Sequence, residues 1–363
     1  MPFPFSARLP ADSFPRDTTH RIGRLIALGS AAVLAFGVPH TAAAAQSIDE
    51  TIHCPECVIE FDRTGSLSWA DAPLTVGMDA EVLALPGGGY AVTSGIVTVS
   101  VLLHDADGSF RTEVGRRGEG PGEFASTPRL GAAVGDGFLV HDGRLGRLTY
   151  IENSGEIGWF ERVEITSTQV AAAGDGFVLA GFGIEGSTGY HLRFLELEEG
   201  MGAEGLSEAA MAGEVELSGG SPNWLRMAGA DDGLWAIPQG GGLLKRYDAS
   251  GTQLAAYEVP LGPTPEEMGG LVVYDVAVVD GKVWIFRLLP PPSPDAGSGG
   301  PLTEEVATRI IIFDPAEERM HAADWLEPMV RPMHGEGGFH ITERDDGEIQ
   351  VDVGILRLVE PGG

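Results

Sequence analysis

The chain has 363 residues, with 23 Lys and Arg against 53 Asp and Glu, a formal net charge of −30. Such a surface repels nucleic acid and anionic lipid, so polyanion binding is excluded. What remains is either a solvated acidic surface or one that favours cations and basic partners, and the 53 glycines indicate an all-β fold dense in turns.

The N-terminus reads as an export signal. Arg16, Arg21 and Arg24 form a basic region, residues 25–38 are an apolar run, and Ala42 to Ala45 offer small-residue cleavage sites. The run is too short and too rich in Gly and Ala for a comfortable membrane span, although an uncleaved anchor is the competing reading. The expected division is a signal peptide at 1–45 and one domain at 46–363, periplasmic or secreted. Losing four arginines and two aspartates with the leader takes the mature charge to roughly −32. No later stretch is apolar enough to span a bilayer.

Cys54 and Cys57 are the only cysteines. No His follows the second, which excludes a c-type heme site, and no second ligand pair completes a zinc ribbon. In an exported chain they are expected to form a local disulfide, which gains little from closing so short a loop. Residues 57–69 look like a strand without a local partner. Next comes a pattern that recurs six times: alternating apolar residues, an Asp-Gly or Gly-Gly turn, and a second alternating run. The copies lie at 81–93, 129–141, 169–180, 224–237, 274–286 and 339–353. Second hairpins follow the first five at 100–114, 147–160, 191–206, 243–259 and 308–324. Asn, Asp and Gly are what such turns require, because they tolerate positive φ or bond their own backbone.

Two hairpins make a four-stranded blade, and repeated blades make a radial array. The predicted fold is a six-bladed β-propeller of antiparallel blades, each of roughly 53 residues. The sixth copy is followed only by 355–360, so one outer strand is missing there. Residues 57–69 are predicted to supply it and close the ring, which removes a free edge. Residues 201–220 read as an irregular connection. The proline-rich insert at 290–301 reads as a loop, because Pro cannot donate to a ladder.

The run Gly115-Arg116-Arg117-Gly118-Glu119-Gly120-Pro121-Gly122-Glu123-Phe124, with the later Asp142 and Arg147, resembles exported bacterial six-bladed β-propeller proteins related to the NHL-repeat group. The resemblance implies a fold and an export route. Most members of that group have no assigned reaction, while some wider six-bladed relatives are lactonases or lyases and others bind proteins, sugars or nucleic acid. In that group Asp142 looks structural, pairing near Arg147. The run lacks a P-loop's Gly-Lys-Ser/Thr ending, so its glycines are read as easing a tight crossing between blades.

Propeller ligands usually sit on the face built by blade-to-blade connections and by the links between second and third strands. On this strand reading that face holds Arg116, Arg117, His141, Asp142, Arg144, Arg331 and His334; these, with Trp224, which opens a blade next to Pro222-Asn223 and stands apart from the packing tryptophans, are the candidate ligand-binding residues. Each also has an ordinary structural reading, such as Arg116 and Arg117 pairing with Glu119 and Glu123. His141 and Asp142, being neighbours on a strand, point to opposite faces. No His-x-His, His-Glu-x-x-His or Gly-x-Ser-x-Gly motif occurs, so no metal ligand set or catalytic residue is assigned, although room is left for a divalent cation such as calcium. The function expected is a monomeric, non-catalytic binding or scaffold propeller presenting a loop face to a protein or small-molecule partner. The alternative is a metal-dependent lactonase- or lyase-like enzyme with an axial site.

Overall fold

The structure, a computed structural model, describes residues 51–53, 58–69, 80–94, 99–163, 165–183, 190–195, 211–217, 225–239, 242–259, 273–288, 308–325, 330–334, 337–344 and 347–359. The proposed leader, the Cys54–Cys57 pair, Trp224 and the whole proline-rich insert lie outside these residues. Two strands precede the first blade, β1 (Thr51–His53) and β2 (Val58–Leu67). Blade I comprises β3 (Glu81–Ala84), β4 (Tyr90–Thr93), β5 (Val101–His104) and β6 (Phe110–Val114). A two-stranded parallel pair, β7 (Arg116–Arg117) and β8 (Glu123–Phe124), lies in the crossing to blade II. Blade II is β9 (Arg129–Val134), β10 (Gly137–Asp142), β11 (Arg147–Glu152) and β12 (Ile157–Arg162).

Blade III is β13 (Ile165–Ala173), β14 (Gly176–Gly183), β15 (Tyr190–Leu195) and β16 (Met211–Leu217). Blade IV is β17 (Leu225–Ala230), β18 (Gly233–Pro238), β19 (Leu243–Asp248) and β20 (Gln253–Glu258). Blade V is β21 (Val273–Val279), β22 (Lys282–Leu288), β23 (Thr308–Asp314) and β24 (Arg319–Trp325), with β1 added in parallel outside β24. Blade VI is β25 (Val330–Pro332), β26 (Gly338–Glu343) and β27 (Ile349–Val359), completed by β2. The fold is the six-bladed propeller that the repeats predict.

Blades pack face to face, so most strands are apolar on both sides; all six residues of β10 are buried. Among the described residues the core divides into six apolar clusters, one between each pair of neighbouring blades. Tryptophans serve this packing, as expected. Trp235 of blade IV meets Phe313 of blade V edge-on at 5.7 Å, and Trp284 lies in the layer between blades V and VI.

Ring closure follows the sequence reading. β2 pairs antiparallel with β27 from Val58 opposite Val359 to Leu67 opposite Val351. Ser66 donates to Asp352 at 2.5 Å and Thr64 to the Val353 carbonyl at 3.2 Å. At the axis the ring is also closed by backbone, since the His334 N–H donates to Val82 and its carbonyl accepts from Ala84.

Three assignments change. The sixth repeat supplies the second and third strands of blade VI, and its inner strand is the three-residue β25, which ends in Pro332. Residues 355–359 continue β27 instead of forming a strand of their own. The outer strand of blade III is β16, inside the segment read as irregular, because residues 211–217 carry too little alternation to stand out. β1 has no counterpart in the sequence reading.

Candidate functional site

The crossing between blades I and II is a self-contained latch. Gly115 has φ +86°, and a Cβ there would strike the ring of Phe124, which is fully buried. Burying that ring contributes roughly 2–3 kcal/mol. Glu123 accepts from the Gly120 N–H at 2.9 Å and pairs with Arg116 at 2.7 Å. The Gly120 N–H, then Arg116, hold its carboxyl below the usual carboxylate range. Arg147, 7% exposed, spans the turn from inside: it donates to the carbonyls of Glu119 at 3.3 Å, Gly120 at 3.0 Å and Glu123, and lies over Phe160.

Asp142 grips the other end. Its carboxylate accepts from the Ala125 N–H at 2.6 Å, the Ser126 hydroxyl at 2.7 Å, and the N–H groups of Arg144 at 3.0 Å and Leu145 at 3.2 Å. Burial alone would raise its carboxyl, but these bonds together outweigh it and hold it low. Asp142 and Arg147 face each other in the β10–β11 register and fasten the same connection from its two ends. Arg116, Asp142 and the backbone of Arg144 are thus committed internally. Arg117 is exposed on the outside of the latch. His141 points the opposite way from Asp142, as the strand period requires. It is fully buried, neither ring nitrogen has a hydrogen-bond partner among the described residues, and burial lowers its pKa to about 4.

A cavity of about 1220 Å³ runs along the axis. The inner strands build it from small residues, including Gly131 to Ala133, Ala171, Ala172, Ala228, Gly229 and Ala230. Gly229 allows this narrow waist, because a Cβ there would lie 2.5 Å from the Ala172 carbonyl of the neighbouring blade. The lining reaches the face of the Asp-Gly turns at Asp231, Asp232, Asp280 and Gly281, with Arg246 paired to Asp232. The lining also includes Asp275, near the start of its inner strand, and Pro332 and His334 of blade VI.

Asp275 is partly buried and lines the channel. Burial pushes its carboxyl up, against the opposing pull of Arg226, His334 and Arg331. Arg226, Asp275 and the Arg331–His334 pair come from blades IV, V and VI. Arg331 also donates to the Ala80 carbonyl at 3.5 Å.

The predicted residues therefore separate. Arg116, Asp142 and Arg144 belong to the latch, His141 to the core, and Arg331 and His334 to the axis. The segment 331–339 was placed on the connection face. It is instead an inner strand and its turn, so His334 sits towards the Asp-Gly turn end of that strand. The sequence reading missed Arg226 and Asp275. Their signal is a charged residue near the start of an inner strand that is otherwise uncharged. Among the described residues no three His, Cys, Asp or Glu side chains gather as a metal site.

No protein-family model matches the chain, and no curated relative matches it. Solved structures do. A protein of Bacteroides fragilis described as exported superimposes with a TM-score of 0.51 at 8% identity, over 82% of this chain and 95% of its own. A member of the DUF4221 family from Bacteroides vulgatus gives 0.51 at 10% identity, over 83% and 99%. At such identities the likeness speaks to the fold.

Proposed function

We propose that this is an exported, non-catalytic binding propeller that takes a small molecule into its axial channel. The leader-like N-terminus supports export, and one of the structures it resembles is described as exported. The observation that carries the binding reading is the channel itself. It is a cavity of ligand size with a waist of Ala and Gly and polar side chains, among them Asp231, Asp232, Asp275, Asp280 and His334, on its lining, features found in small-molecule sites. The polar atoms of the connection face singled out by sequence are largely consumed by the latch, which moves the reading from that face to the axis. A metal-dependent reaction would need donors that do not meet among the described residues.

The test is native mass spectrometry of the purified chain beside Ala230→Phe, which fills the waist near the turn face. A retained or added small molecule should be lost in the variant while its melting temperature holds. Equal retention by both proteins, or none in either across a metabolite panel, would refute binding in the channel.

A further inference from the structure

β27 is longer than the strand on its inner side. It pairs with β26 from Ile349 opposite Glu343 to Gly354 opposite Gly338, where β26 begins. With β2 it stays paired as far as Val359 opposite Val58. Residues 355–359 are therefore one strand of a two-stranded ribbon, and along their other side no backbone partner occurs among the described residues. An antiparallel strand turns the N–H and C=O of alternate residues to each side, so this edge presents the unpaired groups of two or three residues.

The two faces of the ribbon differ. Ile59, Phe61, Leu356 and Leu358 enter the layer against blade V. The opposite face holds Val58, Ile355 and Val359 at 56%, 42% and 40% exposure, three of the five large apolar side chains that are exposed among the described residues. It also holds Glu60 and the Arg357–Asp62 pair, at 3.7 Å. A bare strand edge is a template for another strand, and proteins normally blunt it with Lys, Pro or a covering loop. Ile355 and Val359 do the reverse. The axial cavity borders this edge, with Gly337, Gly354, Ile355 and Arg357 on its lining, so the space beside it is open. The same lining carries Asp231 and Asp280, which have no ion-pair partner among the described residues, whereas Asp232 is paired with Arg246.

We propose that the free edge of β27 docks an extended basic segment of another protein, added as a strand beside residues 355–359. Backbone bonds supply affinity in such strand addition, and alternate side chains supply selectivity. Five residues extend over roughly 16 Å, which sets the length of the docked segment. Ile355 and Val359 share one face, so the segment presents apolar residues there. Its alternate residues turn towards blade V, where Asp280 stands, and are Lys or Arg. The chain's acids, which outnumber its bases by more than two to one, draw such a partner in. The same excess opposes a second copy, which would bring two charges of −30 together.

The test uses fluorescently labelled, end-capped peptides and the purified full chain at about 150 mM salt, where long-range attraction is screened. Lys-Val-Lys-Val-Lys-Val-Lys should bind at least tenfold more tightly than Glu-Val-Glu-Val-Glu-Val-Glu. It should also bind at least tenfold more tightly than Lys-Val-Lys-Pro-Lys-Val-Lys, which keeps the charge but cannot complete the ladder. Hydrogen exchange at 355–359 should slow when it binds. The double variant Ile355→Lys with Val359→Lys should lose the binding. Both side chains are exposed, and circular dichroism checks the fold; should the double variant misfold, Val359→Lys alone decides. Equal binding of the proline peptide would mean that charge alone attracts it, and would overturn strand addition. Binding indifferent to these variants, or no binding of the Lys-Val peptide, would overturn it too. The peptide should bind Ala230→Phe as it binds the parent; its loss there would place it in the channel instead of on the edge. Sedimentation of the chain alone should give a monomer. A dimer that the double variant dissolves would assign the edge to a second copy and overturn the basic partner.

Discussion

His141 gives the sharpest quantitative expectation. Buried on the face of β10 shared with Leu139, it has a pKa lowered to about 4 from an ordinary 6.5, by desolvation against the smaller opposing pull of Asp142. The unfolded chain then binds a proton that the folded chain refuses, so stability is unaffected above pH 6.5 and falls as the pH drops from there towards 4. At pH 4.5 the cost is about 2.5 kcal/mol, worth roughly 4 °C of melting temperature in a domain of this size. His141→Leu removes the titration and leaves Asp142 and the latch in place. Thermal unfolding by circular dichroism at pH 7.5 and 4.5 gives the drop for each protein, and the difference between the drops cancels packing changes that do not depend on pH. The variant should lose about 2.5 kcal/mol less than the parent. Parallel losses would mean that the ring is charged, or reaches solvent, in the folded state.

Arg147→Met should cost about 2–4 kcal/mol, since it strands three carbonyls the guanidinium now satisfies, and Arg147→Lys should rescue little because an ammonium cannot fork across them. Hydrogen exchange across 115–124 should speed up in both variants. Asp142 holds its proton weakly when folded, so its contribution is present at neutral pH and is lost as the pH falls below the ordinary carboxylate range. Asp142→Asn should lower the melting temperature at pH 7 and flatten that acid limb. A chain starting after residue 57 loses β1 and should fold with a modest drop in melting temperature. One starting after residue 67 also loses β2, leaving β27 as an open edge, and should aggregate.

What was legible in the sequence was whatever repeats locally. Asp280 at φ +50° and Gly281 at +72° show why the Asp-Gly turns mark hairpins so well. The unpaired strand at the N-terminus was legible because the last repeat lacked a partner. β25 was not: three residues ending in proline carry no period, and missing it displaced His334 to the wrong end of its blade. The axial cluster was harder still. Asp275 and His334 lie in different blades, and only the ring sets both on one cavity. The latch falls between these cases. Its glycines and acids form one contiguous run, but the roles of Asp142 and Arg147 show only when the hairpin sets them opposite each other.

The clasp between β2 and β27 joins groups 286 and 289 positions apart in the chain. During synthesis β2 emerges before the first blade and its partner β27 after the fifth, so each earlier blade is complete while the ring is still open. Until β27 arrives, Ile59 and Leu67 have no complete layer to enter, and β2 remains a sticky ribbon that any other edge could capture. Chains crowded during synthesis should therefore fail by exchanging this strand, so that one ring is closed by another's N-terminus.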